Sequence, residues 1–359
     1  INRIKQLKFT IKTKNQPTYN LDQLIYKLVC INCHTKLART DKKQHAPTAG
    51  QPTQSSTPSQ LCLPNNKFSM ATKTKPIIGI IILHFGKWEI TKQCLDSLTI
   101  IDTSNFTPKI VIVDNSLDPT TQTQIKKHQT KPHLIIPEKN LGFASGNNLA
   151  IKHCQQKKYT HVLLLNNDTI VEPNFLKNLL DTKYQIQNKK FISGPILEHT
   201  VNSQTYYDFG GLINYKKGQP RHINLDDHFN IVNPTAFPSK EIKKINEYKQ
   251  KRINHFTRDF ISGCCMLIPM PIINQIGYLE ESYFMYLEDV EYCLRAKQAG
   301  YQIYLNPNSK IFHLGSQSAT QWIKIKYSMI NSIKLTISYI TGWNKITAIL
   351  HNLYFYPGL

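Results

Sequence analysis

Three short stretches carry side chains able to do chemistry. In residues 161–173, HVLLLNNDTIVEP, an apolar run passes straight into Asn166, Asn167 and Asp168. A carboxylate at the end of a buried strand is costly unless it is paired or holds a cation. Asp168 therefore has two readings. It is a ligand of a hard divalent ion, Mg2+ or Mn2+, whose remaining positions substrate phosphates and water would fill. Or it is a helix cap or turn residue, a place that Asn and Asp favour anyway.

The second stretch is YFMYLEDVEYCLRAKQAGYQIYLNP, residues 283–307, where Glu288 and Asp289 open a helical pattern. Acids at a helix start are favoured by the dipole by about 0.3–1 kcal/mol. The aromatic and apolar YFMYL before them would also shield a carboxylate and tune its basicity, as a general base requires. Glu291, one turn along, reads as a solvated surface acid. The third stretch is IFHLGSQS, residues 311–318, in which His313 ends a short KIFH strand. A neutral imidazole suits Mn2+ and an imidazolium offsets diphosphate charge, while a purely structural histidine is the plainer reading. NLGFASGNN, residues 140–148, opens a helix and suits phosphate or ribose contacts. It does not fit G-x-G-x-x-G, so it carries no dinucleotide fingerprint.

The elements that must position these residues begin at Lys75. PIIGIIIL (76–83) is a short Ile-rich run of the kind buried on both faces of a sheet. KIVIVD (109–114), HLIIP (133–137) and HVLLL (161–165) repeat the pattern. Helical spacing fills 87–99, where Ile90, Cys94, Leu95 and Leu98 share a side, then 143–156, and a helix opens at 173–181. Strand–helix alternation predicts a parallel α/β sheet, whose ligands bind beyond the carboxyl ends of the strands. Polar residues stand at each of those ends: His84, then Asp114 and Asn115, then Asn140 and Gly142, then Asn166 to Asp168. Residues 215–258 are Lys-rich and irregular and predict a surface insertion with a helix at 240–251. FISGCCMLIP (260–269) returns to the core.

The chain has 359 residues, 40% of them hydrophobic, and a net charge of +21. Residues 1–75 hold thirteen Lys and Arg against only Asp22 and Asp41, and are rich in Thr, Gln, Pro and Ser. That composition predicts a disordered basic leader. Met70 lies just before the first strand, so a functional start near Met70 is expected, with the preceding residues appended. Within the leader, CINCH (30–34) has the C-x-x-C-H spacing of a haem attachment site. No haem-domain pattern and no second ligand pair for zinc accompany it, so it is read as chance. The five cysteines beyond residue 75 sit in apolar or helical contexts and predict buried thiols rather than a disulfide scaffold. No signal peptide is visible, and no apolar run approaches about 18 residues. A cytoplasmic protein is expected, free or peripheral on the inner face of the cell membrane. Residues 321–359 form a basic, aromatic, amphipathic tail. It is read either as a helix packed on the domain or as one lying on an anionic membrane. An ending at PGL is compatible with truncation.

The ordered series VDN, NLGFASGNN, LLLNNDT, YFMYLEDVEYCLR and HLGSQS resembles glycosyltransferase family 2, in particular its rhamnosyltransferase-like branch. The resemblance covers residues 76–320. It implies a GT-A fold, in which a Rossmann-like nucleotide-binding half and an acceptor-binding half share a mixed central sheet. It also implies an inverting, metal-dependent hexosyl transfer from a nucleotide-diphosphate sugar, dTDP-rhamnose-like or a UDP-sugar. The implied acceptor is a saccharide or lipid-linked molecule of cell-surface polysaccharide synthesis. Carried over by position, Asp114 contacts the base or ribose of the donor, with Asn115 and His84 beside it. Asn140, Gly142 and Asn147 line the nucleotide pocket. Asn166, Asn167 and Asp168 occupy the D-x-D place, with Asp168 as the metal-binding acid and His313 helping to hold metal or diphosphate. Asp289 takes the base position, with Glu288 next to it. The D-x-D place here offers a single carboxylate, and His84-Phe85 stands where the branch has Asn-Tyr. Two rival readings are a non-catalytic nucleotide-sugar-binding module, which Asp289 argues against, and a nucleic-acid-binding protein, for which charge is the sole motive.

Overall fold

The computed structural model describes residues 75–180, 190–250, 256–315 and 321–355. The expectations for the leader and for CINCH, and those for residues 316–320, lie outside the described residues.

The first half of the domain is a parallel sheet. β1 (Ile77–His84) pairs with β2 (Thr107–Asp114) on one side and β4 (His161–Asn166) on the other, and β3 (His133–Ile135) pairs with β2. Burial on both faces explains the unbroken Ile run of β1. Ile81 packs with Ala144, Ala150 and Ile151 of α3 (Gly142–Gln156). Ile80 and Ile82 point the other way, to Cys94, Leu95 and Leu98 of α1 (Trp88–Leu98). The sequence reading misses α2 (Pro119–Lys127), which buries only Thr121 and Ile125. Its signals are local: Pro119 in the first turn, and Asp118 accepting hydrogen bonds from the N–H groups of Thr120 and Thr121. The helix expected at 173–181 is a five-residue α4 (Phe175–Leu179).

Beyond β4 the sheet becomes mixed. β10 (Cys265–Pro269) runs antiparallel to β4 and to β6 (Phe191–Val201), and β6 is parallel to β11 (Gln302–His313). The short KIFH strand is thus the end of a twelve-residue strand. Pro307 lies where the β11–β6 register shifts between Asn306 and Lys310, a place where a proline costs no ladder hydrogen bond. β5 (Thr169–Val171) pairs antiparallel with the last turnings of β11, His313 opposite Thr169.

The region expected as a surface insertion is more ordered than its composition implies. β7 (Gln204–Asn214) and β8 (Gln219–Leu225) extend from β6 as antiparallel strands, and α5 (Ser239–Gln250) packs near them. Phe209, Ile223, Leu225, Ile245 and Phe256 close a small core there. Its polar centre is Arg258, wholly buried and ion-paired at 2.6 Å with Glu241. Arg258 also donates to the carbonyls of Phe209 and Thr257. α6 (Met270–Ile276) and α7 (Glu288–Gln298) complete the domain, and α8 (Gln321–Tyr339) and α9 (Trp343–Phe355) follow. All five cysteines among the described residues are buried and free. Burial pushes the Cys94 and Cys154 thiols up to about 12, so they are inert packing groups.

Candidate active site

Asp168 sits in a two-residue turn between β4 and β5, and no helix begins there, so it is not a helix cap. The turn is held from several sides. Thr169 Oγ1 donates to the Asn166 carbonyl at 2.7 Å, and Asn166 N–H donates to the Cys264 carbonyl at 2.9 Å. Asn167 Nδ2 donates to Thr91 Oγ1 and to the Phe85 carbonyl. The β5–β11 pairing then brings His313 to Asp168. Leu314 N–H donates to the Asp168 carbonyl, and His313 Nε2 lies 3.3 Å from Asp168 Oδ2. The two atoms approach without hydrogen-bond geometry, and Asp168 Oδ1 and His313 Nε2 are both buried with no hydrogen-bond partner. Buried polar atoms are rarely left in that state unless a ligand or ion completes them. Carboxylate oxygen and imidazole nitrogen together fit Mn2+ or Mg2+. Among the described residues no group of three His, Cys, Asp or Glu is arranged to hold a metal.

A second group lies at the ends of β1 and β2 and the start of α3. His84 is fully buried, with Nδ1 2.6 Å from Thr91 Oγ1 and Nε2 without a partner. Burial holds its pKa below the usual histidine value, against the pull of Asp114 and Asp118, so it is a neutral ring. Asp114 accepts from Ser116 N–H and Oγ through Oδ1, and from Gln122 Nε2 through Oδ2. Asn115 Nδ2 donates to the Gly142 carbonyl, Asn140 Oδ1 accepts from Gly142 N–H, and Asn147 Nδ2 donates to the Phe143 carbonyl. Asn115 and Asn140 thereby shape the loop ahead of α3, while the Asn147 bond lies within the helix. Gly142 is required there: its φ is +72°, and a Cβ would lie 2.5 Å from the Phe284 carbonyl oxygen.

The third group opens α7. Glu288 is buried, and its Oε2 has no partner. Burial first, and then the neighbouring Asp289 charge, push its carboxyl well above the usual range. Asp289 is also raised by burial, but Gly263 N–H donates to its Oδ2 at 2.7 Å and the charge of His222 favours its ionised form. Two adjacent carboxyls do not both ionise readily. Here Asp289 is the one equipped to carry the negative charge. Tyr286 and Leu287, just before the pair, both adopt left-handed backbone, with φ of 67° and 68°. Such strain costs about 1–3 kcal/mol per residue and persists where the surroundings enforce it. Glu291 is not the solvated acid expected. It is buried, bridges to Arg295 at 3.0 Å and accepts from the Tyr339 hydroxyl at 2.6 Å.

Sequence reasoning missed Asp208 and His222. They stand on neighbouring strands, β7 and β8, with His222 Nδ1 2.7 Å from Asp208 Oδ2. Partial loss of water around its ring lowers the histidine, but Asp208, with help from Asp289, raises it to about 9. It is therefore an imidazolium at neutral pH, near the candidate base. The FGG run at 209–211 was the available signal, since Gly211 leaves the space that the Phe260 ring fills and His222 packs edge-on against that ring. A cavity of about 490 Å3 opens at the other end of β4, between Tyr159, His161, Phe191 and Met270. It holds none of the candidate residues.

The model of glycosyl transferase family 2 matches residues 79–277, more than half of the chain. The chain belongs to this family. Within it, the chain is rhamnosyltransferase-like. It is 22% identical over 315 residues to the low-salt glycan biosynthesis hexosyltransferase Agl10 of Haloferax volcanii, covering 79% of this chain and 88% of that protein. It is 23% identical over 241 residues to the rhamnosyltransferase WbbL of Escherichia coli, covering 66% of this chain and 83% of that one. Among solved structures, GalNAc-T7 with UDP, GalNAc and Mn2+ matches with a TM-score of 0.54 at 13% identity, over 74% of this chain. The match spans about half (48%) of the GalNAc-T7 chain. The mannosyltransferase PcManGT of Pyrobaculum calidifontis, in complex with GDP-Man and Mn2+, matches with a TM-score of 0.50 at 12% identity, over 79% of this chain and 70% of that one. These likenesses show the GT-A fold, and the mixed sheet described above is its centre.

Proposed function

We propose that this family 2 glycosyltransferase moves a hexose or 6-deoxyhexose, from a dTDP-rhamnose-like or UDP-sugar donor, to a hydroxyl of a saccharide or lipid-linked acceptor of a surface glycan, with inversion at the anomeric carbon. The observation that carries the reading is the pair of orphaned buried atoms, Asp168 Oδ1 and His313 Nε2, at the strand ends where an α/β sheet delivers its ligands. The relatives' names, a hexosyltransferase and rhamnosyltransferases, support the donor class.

In this mechanism Asp168 and His313 would hold Mg2+ or Mn2+, which would supply neutralising charge to the leaving diphosphate. The loop of Asn140 and Gly142, with His84, Asp114 and Asn115, seats the nucleoside. Asp289 accepts the acceptor hydroxyl's proton as the oxygen forms its bond to the anomeric carbon, and the bond to the diphosphate oxygen breaks on the opposite face. Against burial, which raises the Asp289 pKa, Gly263 N–H and the His222 charge favour its ionised form for that step. Glu288, held neutral, keeps a second negative charge out of the site. Trp343, Ile346 and Leu350 of α9 are 80%, 51% and 54% exposed and share one helix face. That face supports docking of the enzyme on an anionic membrane, where a lipid-linked acceptor would lie. No helix among the described residues is long and apolar enough to cross a membrane.

The test is release of nucleoside diphosphate from a panel of UDP-, dTDP- and GDP-sugars with Mn2+. One donor consumed by the native enzyme, and by neither Asp289→Asn nor Asp168→Ala, is the expected result. Full turnover in Asp289→Asn removes the base assignment.

A further inference from the structure

The segment that carries the carboxylate pair is gripped from both sides. On one side, Phe143 N–H at the start of α3 donates to the Phe284 carbonyl at 2.9 Å, and Gly142 packs against the Phe284 ring. On the other side lies α8, well past the residues that match the family model. Its Asn331 is 1% exposed, and Nδ2 donates to two successive carbonyls, Met285 at 2.9 Å and Tyr286 at 2.8 Å. Tyr327 of the same helix stacks on Phe284 with ring centroids 5.4 Å apart. Lys334 Nζ donates to the Ser282 carbonyl, and Tyr339 donates to Glu291 inside α7.

These contacts fall at a strained turn. Tyr286 and Leu287 are consecutive non-glycine residues in the left-handed region, and the next two residues are Glu288 and Asp289. Left-handed backbone at such residues relaxes unless something enforces it. One primary amide with two hydrogens satisfies both carbonyls at once, which neither an aliphatic nor a carboxylate side chain could do. We propose that α8 is a wall of the active site and that Asn331 is a positioning residue for the reaction. It fixes the left-handed turn that aims Asp289 at the acceptor hydroxyl. The inference rests on Asp289 being the base. It assigns to α8 a part in catalysis beyond packing.

The experiment uses the full chain with Asn331→Ala and the near-isosteric Asn331→Asp. Hydrogen–deuterium exchange is followed over residues 283–291, and over 147–156 as a control. Turnover is followed with whichever sugar nucleotide of the panel the native enzyme consumes. Both variants should exchange faster across 283–291 and at native rate across 147–156. Turnover number should fall roughly ten- to a hundredfold, because misplacing a reacting group by about 1 Å costs on that order. The donor KM should stay within about twofold of native, since the donor loop is untouched. Native exchange across 283–291 in both variants would overturn the inference, as would an undiminished turnover number in both. Retained turnover in Asp289→Asn removes the base and so the catalytic half of the inference, while the exchange data still judge the grip of Asn331 on the turn. Asn331→Asp guards against a simple failure of Asn331→Ala to fold.

Discussion

Gly142→Ala joins the donor loop to the turn before the candidate base, and its cost can be worked out. The residue has φ +72°, and an added Cβ would lie 2.5 Å from the Phe284 carbonyl oxygen and 2.6 Å from its ring. Left-handed backbone at a non-glycine residue costs about 1–2 kcal/mol. The Phe284 carbonyl must also move, and it accepts the Phe143 N–H bond at 2.9 Å. Losing that bond costs ~0.5–1.5 kcal/mol. Together these give ~1.5–3.5 kcal/mol, or a Tm lower by roughly 3–6 °C for a domain of this size. The affinity for the nucleoside diphosphate should weaken as well, because Asn140 and Asn115 hold the same loop. Calorimetric unfolding and titration with the nucleoside diphosphate measure the two effects. A variant with native Tm and native affinity would refute the account of this loop.

Three other outcomes are expected. Glu241→Ala leaves the Arg258 guanidinium buried without its partner and should cost ~3–5 kcal/mol in denaturant unfolding. Loss below about 1 kcal/mol would mean that the small core around β7 and β8 does not depend on the pair. The Glu288 carboxyl titrates above its usual 4.5 in the fold, so its contribution to stability is complete below pH 4.5 and is lost as pH rises through the folded value. Glu288→Gln should therefore raise Tm at pH 8 and gain little at pH 4.5, and an advantage independent of pH would contradict the assigned cause. Replacing Trp343 and Leu350 by Ser should reduce co-flotation with anionic liposomes; undiminished flotation would take α9 out of membrane contact.

What the sequence disclosed follows its periodicities. β1, β2 and β4 are buried on both faces, so their apolar runs were legible, and the polar residues that end them marked the rim of the site. β6, β7 and β8 were not legible. They alternate unevenly, and the Gly210–Gly211 pair reads as a break when it is a seat for Arg258 and the Phe260 ring. The long β11 was hidden by Pro307 at its bulge. His313 and Asp168 meet only because β5 pairs with the end of β11, a contact across well over a hundred residues that no local pattern encodes. Asp208 with His222, and Asn331 with the 285–286 carbonyls, are of the same kind. Local chemistry names the candidates, and strand pairing decides which of them meet.

The central claim is that Asp168 and His313 complete a metal–diphosphate site at the end of β4. Calorimetric titration of the chain with UDP, dTDP, GDP and ADP, with and without Mn2+, beside Asp168→Asn, tests it most directly. The account predicts binding of one nucleoside diphosphate that requires Mn2+ and is weakened at least about tenfold in Asp168→Asn. Equal binding with and without the ion, or native binding in the variant, would contradict it.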